Sequence, residues 1–296
     1  MSGEPTGWPS IRSLWDYDDP GASEAAFRGL LPRAREAGDL DFELQLLTQV
    51  ARTYSLRGEP GRAHEILDEI KPRLTTDTLT ARVRYLLERG RAFNQDGDAA
   101  SAQRRFVEAW KQASPHREPT LAGLALDAAH MVAIVAPPEE ALAWSRRAIA
   151  LAEASDVPEV RSWLGPLYHN TGWTHHDRGE LDEALAYLEK GLAFRTQAGD
   201  PGPIRIARWT IGRCYRSMGR VDEAFDIQRV LAESPEASGY VFEELGELLL
   251  LQSNPEDARL HFAKAHAMLH TDPCLARHEP ARLQRLAELG GVETGT

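Results

Sequence analysis

The sequence predicts an all-α fold: an α-α superhelix of about six helix-turn-helix repeats closed by N- and C-terminal capping helices. Three observations carry this reading. Small residues recur inside helical apolar patterns, at Ala51, Gly90, Ala129, Gly172, Gly212 and Gly246. Each is followed after twelve residues by an alanine, at Ala63, Ala102, Ala141, Ala184, Ala224 and Ala258. Between the two lies a helix breaker, Gly58, Gly97, Gly179 or Gly219 in four copies and Pro138 or Pro255 in the third and sixth. Glycine ends a helix at little cost and proline suits a first turn, so each copy reads as helix, short turn, helix.

The elements follow in order. Residues 1–21 form an N-terminal arm carrying Trp8 and Trp15, expected to pack on the first helix, with docking onto another subunit or into the groove as the alternative. Residues 22–38 read as an amphipathic capping helix. The copies lie near 44–77, 83–116, 122–155, 165–198, 205–238 and 239–272, then a second capping helix at 277–289 and a flexible tail at 290–296. One superhelical domain over 22–289 is expected, right-handed, with about fourteen helices and the first helix of each pair on the concave side.

Acidic residues before the second alanine, as in ELDEA and RVDEA, favour the positive end of the helix they open. A glycine inside a helix costs about 1 kcal/mol relative to alanine. The small column therefore implies close approach of two helix backbones. Large residues three places on, Tyr54, Phe93, Val132, Tyr215 and Leu249, are expected beside that contact. In the fourth copy this place is His175, which reads as a packed histidine rather than a ligand.

Composition excludes several classes. A net charge of −11 argues against nonspecific binding to nucleic acid or to an anionic membrane. Two cysteines, Cys214 and Cys274, are too few for a disulfide framework and read as buried, inert thiols. The N-terminal residues lack a basic region followed by an apolar stretch, so no secretory signal is expected and a cytoplasmic location is. His169 and His176 are seven residues apart, about 10.5 Å along a helix, too far to share one zinc. No G-x-S-x-G, phosphate loop, dinucleotide-binding glycine run or complete zincin motif occurs. No catalytic residue, metal or cofactor is expected.

The segments LERGRAFNQDGDAASAQRRFVEA (87–109) and WTIGRCYRSMGRVDEA (209–224) are similar to the tetratricopeptide repeat family. The first small residues are spaced by 39, 39, 43, 40 and 34 residues, so most copies are longer than usual and resemble those of kinesin light chains and of MalT-type bacterial regulators. The resemblance implies a groove lined by the residue after each small one, here Arg52, Arg91, His130, Trp173, Arg213 and Glu247. It adds those three before and four after, among them Asn94, His169, His176, Trp209, Arg216 and Glu243. Their order runs basic, aromatic, acidic.

The function this implies is a noncatalytic interaction scaffold that binds a protein or peptide segment, acidic or carboxylate-ended and bearing an apolar side chain. Trp173 and Trp209 would be its anchors, because buried Trp and Arg dominate interface hot spots. A receptor for a signalling peptide or small ligand, and a self-assembling homodimer, are the alternatives.

Overall fold

The computed structural model describes residues 7–293, with the side chains of Pro273, Cys274 and His278 left aside, so the reading of Cys274 and the last residues of the tail lie outside the described residues. Every regular element among them is helical. The chain forms two compact units, residues 1–163 and 164–296.

In the first unit α1 (Pro20–Glu36) packs on α2 (Leu40–Leu56), and three helix pairs follow in chain order. They are α2 with α3 (Pro60–Ile70), α4 (Leu79–Gln95) with α5 (Ala99–Ala113), and α6 (Pro119–Val135) with α7 (Pro138–Glu153). Consecutive first helices α2, α4 and α6 touch one another, and a short α8 (Pro158–Arg161) leans on α6 and α7. The second unit repeats the plan with α9 (Leu164–Asp177) and α10 (Leu181–Ala198), α11 (Pro201–Ser217) and α12 (Val221–Ala232), and α13 (Gly239–Leu251) and α14 (Pro255–Leu269). It closes with α15 (Pro273–His278) and α16 (Pro280–Gly290), two helices where one was expected, because Pro280 opens a new first turn.

The turns show why the breakers recur. In the first copy the Glu59 N–H donates to Tyr54 O and the Gly58 N–H to Ser55 O, which satisfies the orphan carbonyls at the end of α2. The same two bonds recur at Phe93–Asp98, His175–Glu180, Tyr215–Arg220 and Leu249–Asn254. This motif needs a left-handed residue, and Gly97 supplies it at φ +81°, whereas the sixth turn places Ser253 there at φ +61°. The third copy lacks the motif: Ala136 is extended and Pro137 leads into α7.

The small column is explained differently from the expectation. A Cβ on Gly90 would sit 2.4 Å from the Phe106 ring, one on Gly246 2.8 Å from Phe262, and one on Gly212 2.6 Å from Gln228. What fills the space is thus a side chain four residues after the second alanine, packed against the glycine. At Gly172 both kinds of contact occur, Leu188 at 2.6 Å and the Ala184 carbonyl at 3.2 Å. A close approach of two backbones does occur at Gly290, whose Cβ would meet the Ala263 nitrogen at 2.7 Å and seats α16 on α14.

The arm packs on its own chain. Trp8 stacks on Phe42 at 4.6 Å and its indole N–H donates to Asp39 at 2.8 Å. Trp15 meets Phe27 edge-on at 5.1 Å and donates to Gln49 at 3.0 Å. His175 is buried, stacked on Tyr187 at 5.4 Å, with Nδ1 2.6 Å from the Glu180 carboxylate. Arg178 and then His175 hold that carboxyl down to about 2. Cys214 is fully buried and its thiol is pushed up by burial.

Candidate functional site

The face formed by the first helices is ordered by a step from one repeat to the next. Two residues before each small residue stands a polar side chain: Gln49, Glu88, Asp127, Asn170, Thr210 and Glu244. In three copies the residue after the small one, Arg52, Arg91 or Arg213, reaches this position in the following copy. Arg52 donates to Glu88 at 3.4 Å, and Arg91 donates to both Asp127 oxygens at 2.6 Å while also donating to Glu88 at 2.8 Å. Planar guanidinium donors suit such forked contacts.

These charges in the first unit are shielded from water, with 4% of the Glu88 side chain, 13% of Arg91 and 15% of Asp127 exposed. Burial by itself would raise the Asp127 carboxyl, but Arg91 and Arg52 outweigh it and hold it below its usual range. Arg91 is raised in turn, because its carboxylate partners overcome its own burial. Burial pulls Arg84, which donates to Gln45 at 3.1 Å, down to about 10. His130 lies edge-on to Trp163 at 5.9 Å, and burial lowers it against the pull of Asp127. Asn94, one turn past Arg91, is exposed.

In the second unit the step recurs at Arg213, whose Nε lies 3.1 Å from Glu244. Arg216 donates to the same carboxylate at 2.7 and 3.1 Å. Two guanidinium groups on one carboxylate leave a surplus positive charge, and burial lowers the Arg213 pKa. The acidic end of the expected gradient is spoken for within the chain. Glu243 accepts from Arg282 at 2.7 Å, and Glu247 pairs with Arg285, both donors coming from α16.

The step is broken at Trp173. Its counterpart in the next copy, Thr210, turns its hydroxyl to the Ile206 carbonyl at 2.8 Å, and the Trp173 indole N–H has no hydrogen-bond partner among the described residues. Trp173 packs instead in a line of rings: His169 at 6.3 Å, His176 at 4.8 Å and Trp209 at 6.4 Å. Trp209 continues to Tyr240 at 6.2 Å, and the Arg282 guanidinium lies 5.0 Å over Tyr240.

His176 Nε2 is 2.8 Å from the Ser217 hydroxyl, and its Nδ1 is 3.4 Å from Asp177. Asp177 is 78% exposed and 3.4 Å away, too wet and too distant to hold the imidazole as the partner of a general base would. Among the described residues no three His, Cys, Asp or Glu side chains gather as metal ligands, and no helix is long and apolar enough to cross a membrane.

Burial, aided by Arg195, lowers His169 to about 4. The fold thus holds a neutral imidazole that the unfolded chain protonates near pH 6.5. Stability contributed by this group is complete above about pH 6.5 and is lost as pH falls towards about 4, since the unfolded state binds the extra proton there. Thermal melts between pH 7 and pH 5 are expected to fall more steeply for the wild type than for His169→Gln; parallel curves would refute the assignment.

The structure gathers His169, Trp173, His176, Trp209, Arg213 and Arg216 on one face of the second unit, with Glu243 and Glu247 engaged by α16 at its edge. Arg52, Arg91 and His130 belong to the charged step of the first unit. Sequence reasoning missed Glu88, Asp127 and Glu244, although their shared position two before the small residue was a readable signal.

A family model described as a tetratricopeptide repeat matches residues 167–198. No curated protein matches the chain. Solved structures do. A tetratricopeptide repeat protein from Parabacteroides merdae ATCC 43184 shares 14% identity at TM-score 0.57, over 95% of this chain and 96% of that one. The apo form of RapI shares 15% identity at TM-score 0.71, over 95% of this chain and 79% of that one. NprR in complex with its cognate peptide NprX shares 15% identity at TM-score 0.56, over 94% and 80%. With its repeated helix pairs, side chains packed over the small column and matching solved folds, the chain has a tetratricopeptide repeat fold, and residues 167–198 are similar to that family's model.

Proposed function

We propose that the chain is a noncatalytic interaction scaffold whose second unit binds an extended segment of a partner protein or peptide. The observation that carries this is the break at Trp173. Elsewhere on the described face the equivalent arginines and Glu247 are held by partners within the chain, whereas Trp173 offers a free indole N–H and joins a run of aromatic rings. Beside it lies the surplus guanidinium of Arg213. Large rings anchor an interface and a cation next to them selects an acceptor, so the fitting ligand is an acidic or carboxylate-ended segment with an apolar side chain. The fold likeness to NprR, solved with its cognate peptide, supports a peptide occupant.

The test is a peptide array of acidic sequences, each with a free and an amidated C-terminus, probed with the full chain. Binders should weaken at least tenfold with Trp173→Ala and again with Arg213→Glu. Binders that ignore both substitutions would rule out this face.

A further inference from the structure

The first repeat carries a separate feature, independent of the aromatic face in the second unit. The step described above has no preceding copy to supply a donor to Gln49, and the arm supplies one instead. The Trp15 indole N–H donates to Gln49 at 3.0 Å, in the place where Arg52 serves Glu88 and Arg91 serves Asp127. Trp15 and Tyr17 stack at 5.0 Å, and the Arg52 guanidinium carbon lies 5.6 and 6.0 Å from their ring centres. The arm, a 3-10 turn over Ile11–Leu14 followed by Trp15 and Tyr17, therefore already sits against α2 at Gln49 and Arg52, where a ligand could lie.

Its fit is incomplete. Arg52 Nε and Glu88 Oε2 are buried and have no hydrogen-bond partner among the described residues. The rings cover the face of the guanidinium without offering an acceptor to its edge, and the Arg52–Glu88 contact is long at 3.4 Å. A buried donor left unmade carries the desolvation cost of that group. An occupant with a carboxylate at the place of the Tyr17 ring would remove this cost and strengthen the contact through charge. Tyr17 itself is 58% exposed.

We infer that Gln49 and Arg52 form a second binding site for an acidic segment, closed in the free chain by its own residues 8–19. The occupant keeps an aromatic ring over Arg52 and adds a carboxylate to it.

The probes are two fluorescent synthetic peptides, one with the sequence of residues 8–19 and one with Tyr17→Glu in that sequence, titrated into the full chain by anisotropy. Three results are expected. The unaltered chain binds both weakly, because the tethered copy competes. Trp15→Ala in the chain tightens both at least tenfold, with Tyr17→Glu the stronger peptide by a further fivefold or more. Arg52→Met, combined with the opened arm, abolishes that preference. Tyr17→Ala in the chain, which spares the Phe27 contact, serves if Trp15→Ala loses its helical circular dichroism. The inference is overturned if the opened, folded chain binds neither peptide, or binds both alike with Arg52 present.

Discussion

Replacing Gly90 by valine is expected to destabilise the first unit by about 2–3 kcal/mol, although valine is the better helix former of the two. The reason is the neighbour. An added Cβ lies 2.4–2.9 Å from three atoms of the Phe106 ring, and Phe106 is fully buried, so the ring has nowhere to turn. Phe106→Ala alone should cost about 3–5 kcal/mol by leaving a cavity. The two changes together should cost clearly less than their sum, because valine then fills part of the space the ring has left. Urea denaturation of the three variants checks this, and strict additivity would show that the glycine and the ring are not coupled.

Arg91→Met should cost about 3–5 kcal/mol at pH 7, the range for breaking a buried pair by removing one member. Glu88 and Asp127 would then keep Arg52 and Arg84 as their nearby guanidinium groups. The pH dependence gives the sharper test. In the native chain the Asp127 carboxyl is held below its unfolded value, so its contribution is complete above about pH 4 and is lost as pH falls through the lower folded value. Without Arg91 the largest opposition to burial is lost, so that carboxyl is expected to rise and its contribution at pH 7 to weaken. The gap in unfolding free energy between wild type and Arg91→Met should narrow between pH 7 and pH 4. A constant gap would mean that Arg91 acts through packing of its stem rather than through charge.

The repeat pairs were readable because turn chemistry and the small column are local: a glycine or proline at a fixed offset determines where a helix stops, whatever lies around it. Ser253 shows the limit, since a serine in a left-handed turn gives no such signal, and only the following Asn254 and Pro255 mark the new helix. The contact over the glycines was misjudged because the sequence shows that space is needed but not whether a backbone or the ring of Phe106 fills it. Arg91, Arg213, Glu243 and Glu247 were placed on the correct helices, yet their charges were read as offered outward. Whether a charge is free depends on its neighbour some thirty or forty residues away, and the reading followed one column without its complement at Glu88, Asp127 and Glu244. Trp173 stands out only once that complement is seen, as the place where Thr210 turns its hydroxyl back to its own helix.

The handover of an N–H from one module to the oxygen of the next gives these modules individual identities, like keys cut for particular locks. Excising α4 and α5 would set Arg52 against Asp127, which still offers a carboxylate. Excising α11 and α12 would set Trp173 against Glu244, stripped of both of its arginines on α11. Shortened or shuffled versions of this chain should therefore tolerate loss of the second module far better than loss of the fifth, even though the two hairpins have the same outline.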